Sequence, residues 1–256
     1  MIGIDSFRQY FKGFENQYVI IGGTACELLM SDQELDFRAT KDIDMVLIVE
    51  ALSKEFGEIF WKYVQDAGYE HINKGTGEAE FYRFSDPKSP SYPKMIELFS
   101  KKQDWFLPRI DQNIAPIHVD DEISSLSAIL LDDNYYAFLT DGISMIDGVS
   151  ILNAEHIIPF KAKAWLDLKT RKERGEHVDS RDIKKHKNDV IRLSILLTPI
   201  TRVDIPNAIK EDLSQFIQNL DKEELNLKQF GIRNMNKNTL IQLLCQVYEL
   251  PIFQNV

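Results

Sequence analysis

Two aspartates set two residues apart in an apolar run are the side chains of this sequence best suited to chemistry. Asp42 and Asp44 open the run DIDMVLIV, whose composition predicts a buried strand. Because side chains two positions apart point to the same side of a strand, we expect the two carboxylates to lie together. Carboxylate oxygens are the ligands that Mg²⁺ takes in proteins, so the sequence predicts a divalent metal site here.

A pair of glycines precedes these acids along the chain. Gly22-Gly23-Thr24 follows the apolar run Tyr18–Ile21 and comes before a helical pattern that starts near Ala25. Glycines before a helix leave backbone N–H groups accessible to phosphate oxygens, and the helix dipole favours the negative charge. A phosphate-binding site that faces two carboxylates is the arrangement in which a metal ion bridges protein and nucleotide.

A third acid stands among apolar residues farther along the chain. Glu97 lies in the run Lys94–Phe99, which predicts a strand. A glutamate buried in a strand without a partner costs free energy, and this favours a functional position. The alternative, an ordinary outward-facing strand residue, fits the same pattern.

Together these motifs resemble the signature of a known superfamily. A Gly-Gly pair followed by Asp-x-Asp is similar to the GG/GS…DxD signature of the nucleotidyltransferases that include DNA polymerase beta. A longer motif resembles more specifically that of the AbiEii-type abortive-infection toxins: Arg38-x-Thr40-x-Asp42-x-Asp44. The gap between glycines and aspartates is somewhat longer than is usual in that family. Its extra length falls around the polar and acidic stretch Met30–Phe37, which predicts a longer loop.

The resemblance implies a set of site residues. The implied metal ligands, for Mg²⁺ or Mn²⁺, are Asp42, Asp44 and Glu97, and Glu97 either completes the metal site or accepts the proton of the attacking hydroxyl. The implied nucleotide-binding residues are Gly22, Gly23, Thr24, Arg38, Thr40 and Lys161, with Lys163 as the alternative lysine. Asp189 is implied as a further catalytic acid, although Lys185-His186 departs from the Lys-Asp that the family often has ahead of it.

The resemblance also implies a reaction and partners. It implies transfer of an NMP from an NTP to an acceptor hydroxyl on RNA, such as tRNA, or on a protein, by a toxin with a partner antitoxin protein. Two alternatives stay open: a small-molecule nucleotidyltransferase of the aminoglycoside or lincosamide resistance type, and a non-catalytic nucleotide-binding module. The net charge of −10 suits a cationic drug better than RNA, whereas the basic cluster between Lys161 and Lys187 suits RNA better.

The elements that must position these residues divide at about residue 152. Residues 1–152 predict an α/β catalytic domain, with a mixed sheet of the nucleotidyltransferase type flanked by helices, and residues 153–256 predict a helical C-terminal domain. The helical patterns include Ala51–Ala67 and a helix that begins after an Asp179 cap. Further strands are indicated at Ile117–Val119, Ser125–Leu131 and Asn134–Thr140.

The sequence also argues against several other classes of protein. No apolar run approaches the roughly 18 residues of a membrane span, and the first residues lack the basic and then apolar arrangement of a signal peptide, so we expect a cytoplasmic protein without membrane partners. Cys26 and Cys245 lie far apart and predict neither a zinc site nor a disulfide scaffold. The motifs of P-loop NTPases, serine hydrolases and zinc proteases do not occur.

Overall fold

The computed structural model of the chain, which describes residues 1–75, 80–100, 129–130 and 132–251, divides into two units. The first comprises Met1–Val119 with Ile143–Asn153, and the second comprises Asp120–Gly142 with Ala154–Val256. The domain boundary predicted after residue 152 stays a prediction, and the second unit also includes the described helical residues that precede Ile143.

A mixed sheet forms the centre of the first unit. Its strands are β1 (Tyr18–Ile21), β2 (Asp42–Leu47), β3 (Glu70–Gly75), β4 (Glu80–Ser85), β5 (Met95–Ser100), β6 (Ile143–Ile146) and β7 (Val149–Leu152). Their order across the sheet is β3-β4-β5-β2-β1-β7-β6. The pairs β2–β5 and β1–β7 are parallel, and the other neighbouring pairs are antiparallel. The central strands β1 and β2 are almost entirely buried, as their unbroken apolar runs predicted.

Helices α1 (Ile4–Tyr10), α2 (Gly22–Asp32) and α3 (Lys54–Ala67) complete the described part of this unit. Helix α3 begins at a Ser53 cap, whose hydroxyl accepts the backbone N–H of Phe56, and ends at Gly68 with φ of 67°. A glycine takes this left-handed conformation without strain, which is why the helix ends here. The unit is packed around a cluster of buried aromatic rings, which meet in edge-to-face, tilted and stacked arrangements: Phe7, Phe11, Tyr18, Phe56, Phe60 and Tyr63.

The second unit is helical in its described residues. It contains α4 (Asp133–Asp141), α5 (Ala154–Glu173), α6 (Ser180–Leu193), α7 (Asn207–Asp221) and α8 (Lys237–Val247). The predicted Asp179 cap is present, since its carboxylate accepts the backbone N–H of Arg181. The fold class predicted from sequence, a mixed α/β sheet with flanking helices followed by a helical part, is confirmed. None of the helices in the described ranges is long and apolar enough to cross a membrane.

One predicted strand is wrong. The stretch Asn134–Thr140 lies in helix α4, because the Asp132 side chain caps the helix by accepting the N–H groups of Asn134 and Tyr135. The aromatic residues that suggested a strand pack instead against neighbouring helices of the second unit, where the Tyr135 ring meets Phe160 edge to face. These contacts also explain why the stretch before residue 142 belongs to the second unit.

Two other predicted strands lie wholly or mostly outside the described residues. Ile117–Val119 lies outside the described residues. Most of Ser125–Leu131 lies outside them as well, and its described residues 129–130 are helical.

Candidate active site

Two of the predicted acids lie at matched positions on neighbouring strands. Asp44 on β2 is in register with Glu97 on the parallel strand β5 and with Ile21 on β1. Glu97 is in turn opposite Arg83 on β4. Strands in a sheet are about 4.8 Å apart, so side chains at matched positions on one face contact each other. The sheet therefore sets Asp44, Glu97 and Arg83 in one row, with Asp42 two residues before Asp44 on the same strand.

Gly22 lies directly against the Asp44 carboxylate. Its φ is +67°, a conformation that favours glycine, and a Cβ built on it would lie only 1.6 Å from Oδ2 of Asp44. Helix α2 begins at Gly22, three residues before the predicted start near Ala25. The Asp44 carboxylate is therefore placed beside the first turn of a helix, where backbone N–H groups are accessible to an anion.

The second glycine lies against two more of the predicted residues. A Cβ on Gly23 would be 2.8 Å from Cγ2 of Thr40 and 3.0 Å from Nη2 of Arg38. The guanidinium of Arg38 therefore lies close to the start of α2. A positive side chain and a helix N-terminus at one place are both suited to phosphate oxygens.

A network of buried hydroxyl groups fixes the start of β2. Thr24, whose side chain is fully buried, donates to the backbone carbonyl of Asp42 at 2.5 Å and lies 3.2 Å from the Thr40 hydroxyl. The backbone N–H and the hydroxyl of Thr40 both donate to Oε2 of Glu27, the former at 2.7 Å. Burial raises the pKa of Glu27, but the hydrogen bonds from Thr40 and the N-terminal ammonium of Met1 together outweigh it, so that its pKa is lowered. Thr24 and Thr40 thus use their hydroxyls inside the protein to hold Asp42 in place.

Glu97 is a buried carboxyl group, 7% exposed, with a cation on one side and an acid on the other. Nε and Nη2 of Arg83 both donate to its Oε1, at 2.9 and 2.6 Å. Burial, together with the charge of Asp44 and a hydrogen bond to it, raises the pKa of Glu97 well above its usual range, and Arg83 opposes this shift. The Glu97 carboxyl group therefore interacts directly with both Arg83 and Asp44.

The donor chemistry of this site fits a divalent cation. Carboxylate oxygens are the donors that Mg²⁺ and Mn²⁺ take, and two adjacent acids repel each other until a bound cation neutralises them. Within the described ranges, however, no group of three or more His, Cys, Asp or Glu side chains is arranged to hold a metal ion. The three-acid ligand set of Asp42, Asp44 and Glu97 therefore stays a prediction.

The two site residues predicted for the second unit are paired with each other. Nζ of Lys161 on α5 lies 3.2 Å from Oδ2 of Asp189 on α6, and the two side chains are 6% and 0% exposed. The alternative lysine, Lys163, donates to Asp212 on α7 at 2.8 Å. Each pair links two helices. A contact between Lys161 and a triphosphate, and a catalytic role of Asp189, stay predictions.

The basic cluster between Lys161 and Lys187 is largely paired with polar and acidic side chains of its own unit. Besides the two pairs above, its ion pairs are Arg171–Glu176, Arg181–Asp179 and Lys187–Glu223. Lys169 donates to the side-chain oxygen of Asn219 at 2.6 Å and lies over the Trp165 ring. The cluster therefore presents less unbalanced positive charge than its sequence suggests.

Two residues of the site were not identified from the sequence. Glu27 lies on the face of α2 that meets Thr40, and its spacing of three residues from Thr24 was the signal that could have indicated it. Arg83 has no local signal, because its contact with Glu97 depends on the register between β4 and β5. Each of them contacts a predicted site residue, since Glu27 accepts hydrogen bonds from Thr40 and Arg83 donates to Glu97.

Comparison with solved structures finds nucleotidyltransferase-like proteins. An antigenic nucleotidyltransferase-like protein from Paracoccidioides brasiliensis is 15% identical, with a TM-score of 0.45 over 84% of this chain and 86% of that one. A cytoplasmic RNA terminal U-transferase is 10% identical, with a TM-score of 0.31 over 87% of this chain and 66% of its own. The Cid1 poly(U) polymerase is 10% identical, with a TM-score of 0.31 over 94% of this chain and 75% of its own.

No family model matches the chain, and no curated protein matches it. The TM-scores of the three similar structures are all below 0.5. A functional conclusion therefore depends on the side chains of the site.

Proposed function

We propose that this protein is a metal-dependent nucleotidyltransferase that moves an NMP from an NTP to an acceptor hydroxyl. The observation that carries the proposal is the contact between Gly22 and Asp44, since it sets a carboxylate beside the first turn of α2. A metal-binding acid next to a helix N-terminus is what a metal–triphosphate substrate requires. The Glu97 carboxyl and the Arg38 guanidinium lie next to these two residues and suit the same substrate.

Each residue of the site has a role in this proposal. Asp42, Asp44 and Glu97 would hold Mg²⁺ or Mn²⁺, which when bound neutralises charge that develops on the phosphates. The backbone N–H groups at Gly22 and Gly23 donate hydrogen bonds to phosphate oxygens of the NTP. Arg38 binds the same phosphates through charge-assisted hydrogen bonds. These contacts orient the α-phosphate for in-line attack by the acceptor, with pyrophosphate as the leaving group.

The acceptor that we propose is RNA, such as the end of a tRNA, or a protein hydroxyl. This follows the resemblance of the segment from Arg38 to Asp44 to the AbiEii-type toxins, and it makes an antitoxin protein the expected partner. Transfer onto such an acceptor would make the protein toxic to the cell that produces it.

A second acceptor class is favoured by a specific observation. Five residues of the basic cluster between Lys161 and Lys187 are paired with acids of their own unit, namely Lys161, Lys163, Arg171, Arg181 and Lys187, while the whole chain has a net charge of −10. Such a protein attracts a small cationic acceptor, such as an aminoglycoside, more strongly than a polyanion. A small-molecule nucleotidyltransferase is therefore the alternative.

The experiment that tests the proposal follows label from each α-labelled NTP, in the presence of Mg²⁺, into a total tRNA pool, into protein and into aminoglycosides. The control is the Asp42→Asn/Asp44→Asn protein, which keeps the shape of both side chains and removes their charge. Label in RNA or protein, only with the intact acids, would support the toxin-type reaction. Label only in the aminoglycoside would support the alternative.

The same experiment distinguishes an enzyme from a binding module. Tight Mg²⁺-dependent NTP binding without transfer to any acceptor class would favour the non-catalytic module. Transfer at an equal rate by the Asp42→Asn/Asp44→Asn protein would refute the proposed site.

A further inference from the structure

The guanidinium of Arg83 engages one oxygen of Glu97 with two of its donors. Nε and Nη2 donate to Oε1 at 2.9 and 2.6 Å, and the two side chains are 17% and 9% exposed. A carboxylate oxygen has two lone pairs, so these two hydrogen bonds occupy Oε1. The other oxygen of Glu97 is left for any ligand of the site, and the Glu97 carboxyl also interacts with Asp44.

The register of the sheet fixes this arrangement. Arg83, Glu97 and Asp44 occupy matched positions on β4, β5 and β2. The backbone hydrogen bonds of three strands therefore determine where the guanidinium stands relative to both acids. An arginine suits this position because its Nε and Nη2 form a planar fork, whereas a lysine offers a single ammonium group.

We infer that Arg83 is a positioning residue that holds Glu97 so that it contributes one oxygen, beside Asp44, to the candidate metal site. This inference depends on the metal site of the proposed function. Without Arg83 the Glu97 carboxyl is free to rotate away from Asp44.

A simpler electrostatic view makes the opposite prediction. If Arg83 only adds positive charge near the acids, then its removal should strengthen the binding of a cation. If it positions Glu97, then its removal should weaken that binding. The direction of the change therefore separates the two views without any measurement of catalysis.

The test measures Mn²⁺ binding to the full-length protein by calorimetry, in the absence of NTP. Arg83→Gln should weaken Mn²⁺ binding by about tenfold, the size of effect typical for residues that hold a metal ligand. Arg83→Lys keeps the charge and loses the fork, so its affinity should lie between those of the wild type and Arg83→Gln. Arg171→Gln, which breaks an Arg–Glu pair in the second unit, is the matched control and should bind Mn²⁺ as the wild type does.

A double-mutant cycle tests whether Arg83 acts through Glu97. Glu97→Gln should itself weaken Mn²⁺ binding, and the addition of Arg83→Gln should then change the affinity little. An additive loss in the double variant would mean that Arg83 acts by another route. Circular dichroism establishes whether each variant is folded. If Arg83→Gln is not folded, the Mn²⁺ affinity of Arg83→Lys tests the inference instead.

The outcomes separate this inference from the proposed function. Weaker Mn²⁺ binding by Arg83→Gln supports the inference even if no acceptor is ever labelled. Unchanged or tighter Mn²⁺ binding by Arg83→Gln overturns it, whether or not the wild type transfers nucleotides. A wild-type protein that binds no Mn²⁺ would overturn the inference and the proposed metal site together.

Discussion

Substitution of Gly22 by alanine is the sharpest perturbation of the site. A Cβ at this position would lie 1.6 Å from Oδ2 of Asp44, whereas such contacts in proteins are almost never shorter than 3.0 Å. The carboxylate oxygen would therefore have to move by about 1.4 Å. Displacement of a reacting or metal-binding group by about 1 Å lowers turnover by roughly 100-fold, so we expect Gly22→Ala to lose at least about that factor in kcat.

The same substitution also has a backbone effect that must be separated from the displacement. The φ of +67° at Gly22 is unfavourable for alanine by about 1–2 kcal/mol. Gly13 has a φ of +91°, and a Cβ at that position would have no atom within 4 Å, so Gly13→Ala carries the backbone effect alone. Both variants should lose stability in urea unfolding, Gly22→Ala more than Gly13→Ala because of its steric clash, and only Gly22→Ala should lose nucleotidyl transfer.

The activity of Gly22→Ala can also contradict this role of Gly22. If folded Gly22→Ala transfers nucleotides within about threefold of the wild type, then Asp44 does not need the position that the structure gives it. Mn²⁺ binding by both variants provides the second readout, and we expect it to weaken only in Gly22→Ala.

Three further predictions concern the groups that support the site and the second unit. Glu27→Gln should lower the free energy of unfolding by about 1–2 kcal/mol and slow nucleotidyl transfer, because it weakens the charge-assisted hydrogen bonds that this carboxylate accepts. A wild-type free energy of unfolding together with a wild-type transfer rate would contradict this prediction. Lys161→Met should lower the free energy of unfolding by about 3 kcal/mol, since it removes the ion-pair partner of a fully buried acid. The double variant Lys161→Met/Asp189→Leu should regain most of this stability. Equal unfolding midpoints for the single and double variants would argue against a structural ion pair. Burial lowers the pKa of His156 from 6.5 to about 4, against the opposing charge of Asp141, so the unfolded chain binds a proton that the folded protein excludes, and stability falls as pH is lowered through this range. After allowance for partial exposure the loss is about 1–2 kcal/mol, and urea unfolding of His156→Gln between pH 6.5 and 4 should lack it.

The parts of the site that local patterns determine could be predicted from the sequence. Asp42 and Asp44 share a side of β2 because strand side chains alternate, and an isolated acid in an apolar run indicated Glu97. Arg83 could not be found in this way. Its partner lies on another strand, and neither strand's sequence determines the register between them.

Helix α4 shows why part of the fold was predicted incorrectly. Its aromatic residues favour strands by intrinsic propensity, but a single Asp132 cap and packing against other helices outweigh that preference. The pairing of Lys161 with Asp189 was equally hidden from sequence reasoning, because it depends on how two helices of the second unit pack. Long-range contacts of this kind decide which charges are neutralised.

The measurement that tests the central claim most directly is the release of pyrophosphate from NTP by the wild type, Asp44→Asn and Asp66→Asn in the presence of Mg²⁺ and an acceptor pool. Asp66 is the matched control, since it forms a surface ion pair with Lys62 away from the row of acids. The proposed site predicts release by the wild type and Asp66→Asn at equal rates, and a rate at least about 1,000-fold lower for Asp44→Asn. Pyrophosphate release by Asp44→Asn at the wild-type rate would contradict it.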